Sequence, residues 1–171
     1  TGTTLTLSFD YSATTGLLSN AVLTDGSHPM VVTGWRNVWN PAPAVKPYAG
    51  YYTVAFNPPP AQTNPVPEGN GYASFTVAPT GTLTVSGALA DSIGFSTAGF
   101  VSPEGKVLIF KMLYTLRGSV HGMLEIAKGV APDFSDNSIT GTANWRRNEI
   151  KPVTTTNRIY VDGFTDAPIT A

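Results

Sequence analysis

The chain has 171 residues, no cysteine, and 12% charged residues that balance to a formal net charge of −1. That length fits one domain and buries roughly 70% of its unfolded surface without a staple. The missing cysteine excludes disulfides, thiolate metal centres and cysteine nucleophiles, and ten scattered Lys and Arg lack the basic stripe that nucleic acid demands.

Threonine, glycine and proline dominate, with 23, 17 and 14 copies. Threonine favours half-buried pleated surfaces, while glycine and proline punctuate turns. Period-two alternation predicts strands over 3–10, 17–24, 29–39, 48–57, 71–78, 82–90, 93–100, 106–115, 118–127, 138–146 and 158–164. Short turn signals separate most of them, including "TTG" at 14–16, "TDGSHP" at 24–29, "PTG" at 79–81 and "PEG" at 103–105. Nothing resembles the crossover helix of a parallel sheet. The expected fold is therefore all-β and antiparallel, a meander barrel or barrel-like sandwich of 10–11 strands, as a single domain over 1–171. The five prolines of 57–71 exclude a central strand there and predict a stiff surface loop. No apolar run approaches the ~18 residues of a membrane span. Without an initiator Met or a signal peptide, the N-terminus reads as processed or excised from a longer chain.

Two internal echoes stand out. "SFDYSATTGLLSNAVLTDG" at 8–26 aligns with "SFTVAPTGTLTVSGALADS" at 74–92, and "VTGWRN" at 32–37 with "ITGTANWRRN" at 139–148. They predict two related meanders, and make Trp35 and Trp145 equivalent strand-end positions. In order along the chain come "YAGYYTVAF", the proline-rich loop, "GNGYASFTVAPTGTLTVSGALADSIGFS", "VSPEGKVLIFKMLY", "GSVHGMLEI", "ITGTANWRRN" and "YVDGF". Together they resemble a β-rich module of very large secreted or surface proteins of Verrucomicrobiota and related bacteria. Residues 48–164 carry the resemblance best, and 1–40 resembles part of an adjoining unit. The resemblance implies an extracellular or cell-surface setting and a β architecture, with no activity attached. Low charge, absent cysteine and abundant threonine point to the same setting.

Signals for catalysis are sparse. His28 lies in a turn and His121 in a strand, without the spacing of a metal site, and no G-x-S-x-G elbow occurs. Glu125 shares a strand face with His121 and Met123, read as an outer, solvated face. "APDFSDNS" at 131–138 brings together Asp133, Asp136 and Asn137, read as a loop of Asx turns rather than a calcium site. Arg146, Arg147, Lys151 and Arg158 read as solvated charges that blunt a strand edge. No catalytic residue, metal or cofactor is assigned.

The aromatics remain. Sugars stack on flat side chains while polar neighbours orient them. Trp35 and Trp39 share one strand face about 13 Å apart, with Asn37 between them, and Tyr48, Tyr51 and Tyr72 complete the candidate ligand-binding set. Trp39, at the strand exit, is expected to be at least half exposed, whereas Trp35 and Trp145 suit a core or lid. The expected function is a noncatalytic extracellular module of a larger protein that binds polysaccharide or mediates adhesion through these aromatics. The alternative is a structural subunit of a surface assembly or fibre, joined through β edges to neighbouring modules or further copies of itself; a hydrolase is the third reading.

Overall fold

The computed structural model describes residues 4–39, 47–58, 67–151 and 160–171. Eleven strands alternate with turns, and no helix occurs among the described residues, so none is long and apolar enough to cross a membrane. In chain order they are β1 (Thr6–Tyr11), β2 (Leu18–Thr24), β3 (Pro29–Val31), β4 (Gly50–Phe56), β5 (Gly71–Val77), β6 (Thr82–Ala88), β7 (Gly94–Phe100), β8 (Lys106–Leu113), β9 (Gly118–Ala127), β10 (Ser138–Arg147) and β11 (Phe164–Thr170). All pairing is antiparallel, in three sheets ordered β1-β2-β3, β4-β5-β6-β7 and β11-β10-β9-β8.

Alternation explains how the two four-stranded sheets meet. In β5 and β6, Ala73, Phe75, Val77, Leu83 and Val85 point inward, and in β9 and β10 Val120, Leu124, Ile126, Ile139, Ala143 and Trp145 point back at them. One apolar core results, with Trp145 only 1% exposed. Aromatic edges meet ring faces around it: the Phe164 and Tyr160 centroids lie 4.8 and 5.7 Å from that of Trp145, a geometry favoured by the ring quadrupoles.

The sheets touch at two corners without closing into a barrel. At one, Asn57 N donates to Thr170 O (2.9 Å) and Thr170 N returns a bond to Asn57 O (2.8 Å). At the other, β7 turns into β8 through buried Val101, Ser102 and Gly105. The molecule is a sandwich, which settles the choice between the two expected architectures.

Two strands differ most from expectation. The regular pairing expected over 29–39 stops at Val31. The chain still follows β2, because Leu18 N donates to Gly34 O and Arg36 N to Gly16 O (2.9 Å each). The last strand is Phe164–Thr170, and Tyr160–Gly163 leads into it as a turn. Pro168 is tolerated because β11 is an edge strand, where one missing N–H costs no ladder bond. Within the proline-rich segment, residues 59–66 lie outside the described residues, as does Arg158.

Candidate functional site

The outer face of the β4–β7 sheet carries two of the expected aromatics beside a shallow concavity. Register places Thr53, Ser74, Ser86 and Ser96 in one row across the four strands, and Tyr51, Thr76, Thr84 and Ala98 in the next. A third row runs Ala55, Tyr72, Ala88 and Gly94. No residue of these rows carries a charge. Ser74, Thr76, Thr84, Ser86, Ser96 and Ala98 line a shallow concavity of about 490 Å³. Of the Ser and Thr residues in the first two rows, Ser74 alone bonds through its hydroxyl to another described residue, donating to Ser86 O (3.2 Å), while Thr82 at the edge of the face pairs with the Thr80 hydroxyl (3.2 Å). The other hydroxyls are free to exchange bonds with water or ligand.

Tyr51 and Tyr72 rise from this floor, 70% and 61% exposed. Their exposure follows from alternation: in "YYTVAF" Tyr52, Val54 and Phe56 turn toward the core, which turns Tyr51 out. In "GYASFTV" Ala73, Phe75 and Val77 do the same for Tyr72. Tyr72 stands opposite Ala55, four residues along β4 from Tyr51, so the rings sit about 14 Å apart. Two flat rings flanking a hydroxyl floor can stack apolar ligand faces and hydrogen-bond polar ones.

The tryptophans do other work. The Trp35 indole N–H donates to Phe100 O (3.0 Å), that of Trp39 to Val101 O (2.9 Å), and the Asn37 amide nitrogen to Thr80 O (3.1 Å). Three side chains from one segment thus fasten the β1–β3 sheet onto the β7–β8 corner and the adjoining β5–β6 turn. Trp39 is less than half exposed, contrary to expectation, because its ring lies edge-on to Tyr48 (5.9 Å) and against Gly81. Gly81 adopts φ +78°, and any Cβ there would enter the indole. Tyr48 is 1% exposed and belongs to the core. Of the six residues expected to bind ligand, Tyr51 and Tyr72 share one open face, whereas Trp35, Asn37 and Trp39 form an internal strap. Trp35 and Trp145 are not equivalent either, since one docks a sheet and the other fills the core.

A buried polar cluster was not visible in the sequence. The Tyr114 hydroxyl donates to Asp91 Oδ2 (2.6 Å) and accepts from Trp145 Nε1 (2.9 Å), while Arg147 Nη1 donates to the same Asp91 oxygen (3.0 Å). Arg147 stacks over the Tyr114 ring at 4.6 Å. Burial, then the bond to Asp91, holds the Tyr114 hydroxyl proton far above the ordinary tyrosine range. The cluster ties the β6–β7 turn to the β8–β9 turn and β10. Arg147 is therefore a buried structural cation and not a solvated edge charge, while Arg146 and Lys151 are exposed. Tyr114, Thr115 and Leu116 all have positive φ (52°, 54° and 69°). Such strain persists where surroundings over-determine the backbone, as they do around the Tyr114 side chain.

The remaining candidates are structural or solvated. His121, Met123 and Glu125 lie on the outer face of the second sheet. Asp136 Oδ1 accepts from Val130 N (2.7 Å), Asp133 Oδ1 from Ser135 N (3.3 Å) and Asn137 Oδ1 from Gly129 N (2.6 Å). Asn137 also donates to Pro47 O (2.7 Å) and the Tyr52 hydroxyl (3.1 Å), which fastens this loop to the entry of β4. His28 pairs with Asp25 in an exposed turn (3.1 Å). No group of three His, Asp or Glu side chains able to hold a metal occurs among the described residues.

Comparison with protein-family models, curated proteins and solved structures returns no match. The arrangement has to be interpreted from its own chemistry. It offers an uncharged floor of hydroxyls with two exposed tyrosines.

Proposed function

We propose that the chain is a noncatalytic extracellular β module that binds an extended neutral glycan across the outer face of β4–β7. The observation that carries this reading is the pairing of exposed Tyr51 and Tyr72 with rows of free Ser and Thr hydroxyls and no charge. A sugar ring has an apolar face that stacks on an aromatic and a rim of hydroxyls that needs both donors and acceptors. Ser and Thr supply both from one atom, and Tyr supplies stacking area at small entropic cost. Rings about 14 Å apart suit a chain of several sugars rather than a single unit. The composition and the resemblance to surface modules support the extracellular setting.

The test is affinity electrophoresis and calorimetry against soluble neutral polysaccharides, including β-glucan, xylan and glucomannan, with an acidic polysaccharide for comparison. Tyr51→Ala and Tyr72→Ala should each weaken binding about threefold to tenfold without changing thermal stability. Retention by no neutral polysaccharide, or retention indifferent to both substitutions, removes this function.

A further inference from the structure

We infer that the β1–β3 sheet is a half-sandwich, and that its apolar face packs against the same face of a second copy of this chain. The strands place Leu7, Phe9 and Tyr11 on one side of β1 and Thr6, Ser8 and Asp10 on the other. Cross-strand partners extend the apolar side: Leu23 lies opposite Leu7, Met30 opposite Leu23, and Leu18 opposite Tyr11. An extra residue in β2 near Asn20 (φ 50°) keeps the two strands in phase across a bulge. Leu5, Leu7, Phe9, Tyr11 and Met30 are between 44% and 60% exposed, and none of the seven belongs to the sandwich core.

Internal comparison says what such a face is for. The echo 8–26 against 74–92 superposes hairpin on hairpin, β1–β2 on β5–β6, each turning at a glycine of positive φ, Gly16 (71°) and Gly81 (78°). Extended by one residue at its start and shifted by one at the turn, so that Tyr11↔Leu18 matches Val77↔Leu83, the alignment puts Leu7, Phe9, Tyr11 and Leu18 where the second hairpin has Ala73, Phe75, Val77 and Leu83. Those four are buried beneath a facing sheet. The first hairpin has the same pattern and no facing sheet among the described residues.

Area and charge favour a second copy as the occupant. With roughly 200 Å² for a fully exposed side chain of this size, the five residues present about 500 Å² of apolar surface. Two copies face to face bury about 1,000 Å², the threshold of a specific interface before any polar rim is added. The side chains of the face are uncharged, with Arg36 at its margin over the Tyr11 ring (5.7 Å), so like charges do not oppose self-pairing. The three-point strap holds the sheet at a fixed angle to its own sandwich, and a two-fold axis through the apolar face then gives a closed dimer.

Sedimentation velocity on the full chain from about 5 to 200 µM tests this. The wild type should sediment as a dimer. Leu7→Glu and Phe9→Glu should each raise the dimer dissociation constant at least 100-fold while leaving the circular dichroism spectrum unchanged. Phe110→Glu, on the exposed apolar stripe of β8, should leave the dimer intact. Because the chain has no cysteine, Phe9→Cys should give one disulfide-linked dimer on mild oxidation. A wild type monomeric throughout overturns the inference. So does a dimer that survives both glutamates, or one lost with Phe110→Glu instead.

Discussion

Replacing Asp91 by Asn removes one charge from the polar cluster and leaves its shape. The side chains of Asp91 and Arg147 are 2% and 8% exposed, so water cannot take over the solvation that the carboxylate gives the guanidinium. Removing one partner of a buried ion pair costs about 3–5 kcal/mol, because the other charge stays buried without compensation. The Asn oxygen can still accept from Ile93 N, as Asp91 Oδ1 does at 3.1 Å, which places the expected loss near the lower end. For a domain of this length each kcal/mol shifts Tm by about 2–4 °C, so Asp91→Asn should melt about 6–12 °C below wild type by calorimetry. The double change Asp91→Leu with Arg147→Met removes both charges together. It should lie much closer to wild type than the single substitution, because an apolar isostere of a buried pair is often neutral. A single variant within about 0.5 kcal/mol of wild type, or a double variant worse than the single, would falsify the account of the cluster as a buried charge pair.

Alkaline unfolding should report on Tyr114. Its folded pKa is raised, so its stabilising contribution is complete below the unfolded value near 10 and is lost as pH climbs above it. Stability should fall above pH 10 by up to about 1.4 kcal/mol per pH unit for each such tyrosine, and Tyr114→Phe should flatten that slope in denaturant titrations. Burial raises Tyr52 as well, with Asn137 opposing it in part, so some slope should remain. Trp39→Ala should cost about 2–4 kcal/mol and speed amide exchange over 18–36 before the sandwich melts; uniform exchange would mean that the strap carries no load. Gly81→Ala combines a positive φ with a collision against Trp39, so chemical denaturation should show a loss above about 1 kcal/mol. Asn137→Ala frees Gly129 N, Pro47 O and the Tyr52 hydroxyl at once; about 2 kcal/mol should be lost, with proteolytic nicking appearing in 128–137.

The strands were legible where one face is buried and the other wet. In β5, Ala73, Phe75 and Val77 alternate with Tyr72, Ser74 and Thr76, and the same pattern exposes Tyr51. β11 was not legible, because Asp166 and Pro168 read as turn residues and only an edge position makes them acceptable. The use of the tryptophans could not be read either: their indole partners lie 65 and 62 positions away, and a carbonyl acceptor leaves no mark on residue type. Asp91 is of a residue type that favours turns, and it serves one through Ile93 N, but its other oxygen serves Arg147, 56 positions distant. Barrel and sandwich share one alternation and differ only in whether the outer strands pair.

The Trp35–Asn37–Trp39 strap also has a mechanical meaning. Two of its acceptors, Phe100 and Val101, sit at the corner where the two sheets join, and the third, Thr80, lies in the β5–β6 turn that Gly81 O ties to Val101 N. A pull that enters through the segment after β3 is therefore shared among three bonds and delivered to the joint. Tension entering this way spreads into both sheets together. The first element to yield under force should be the strap, which lets the N-terminal hairpin swing away while the core beneath Trp145 stays closed.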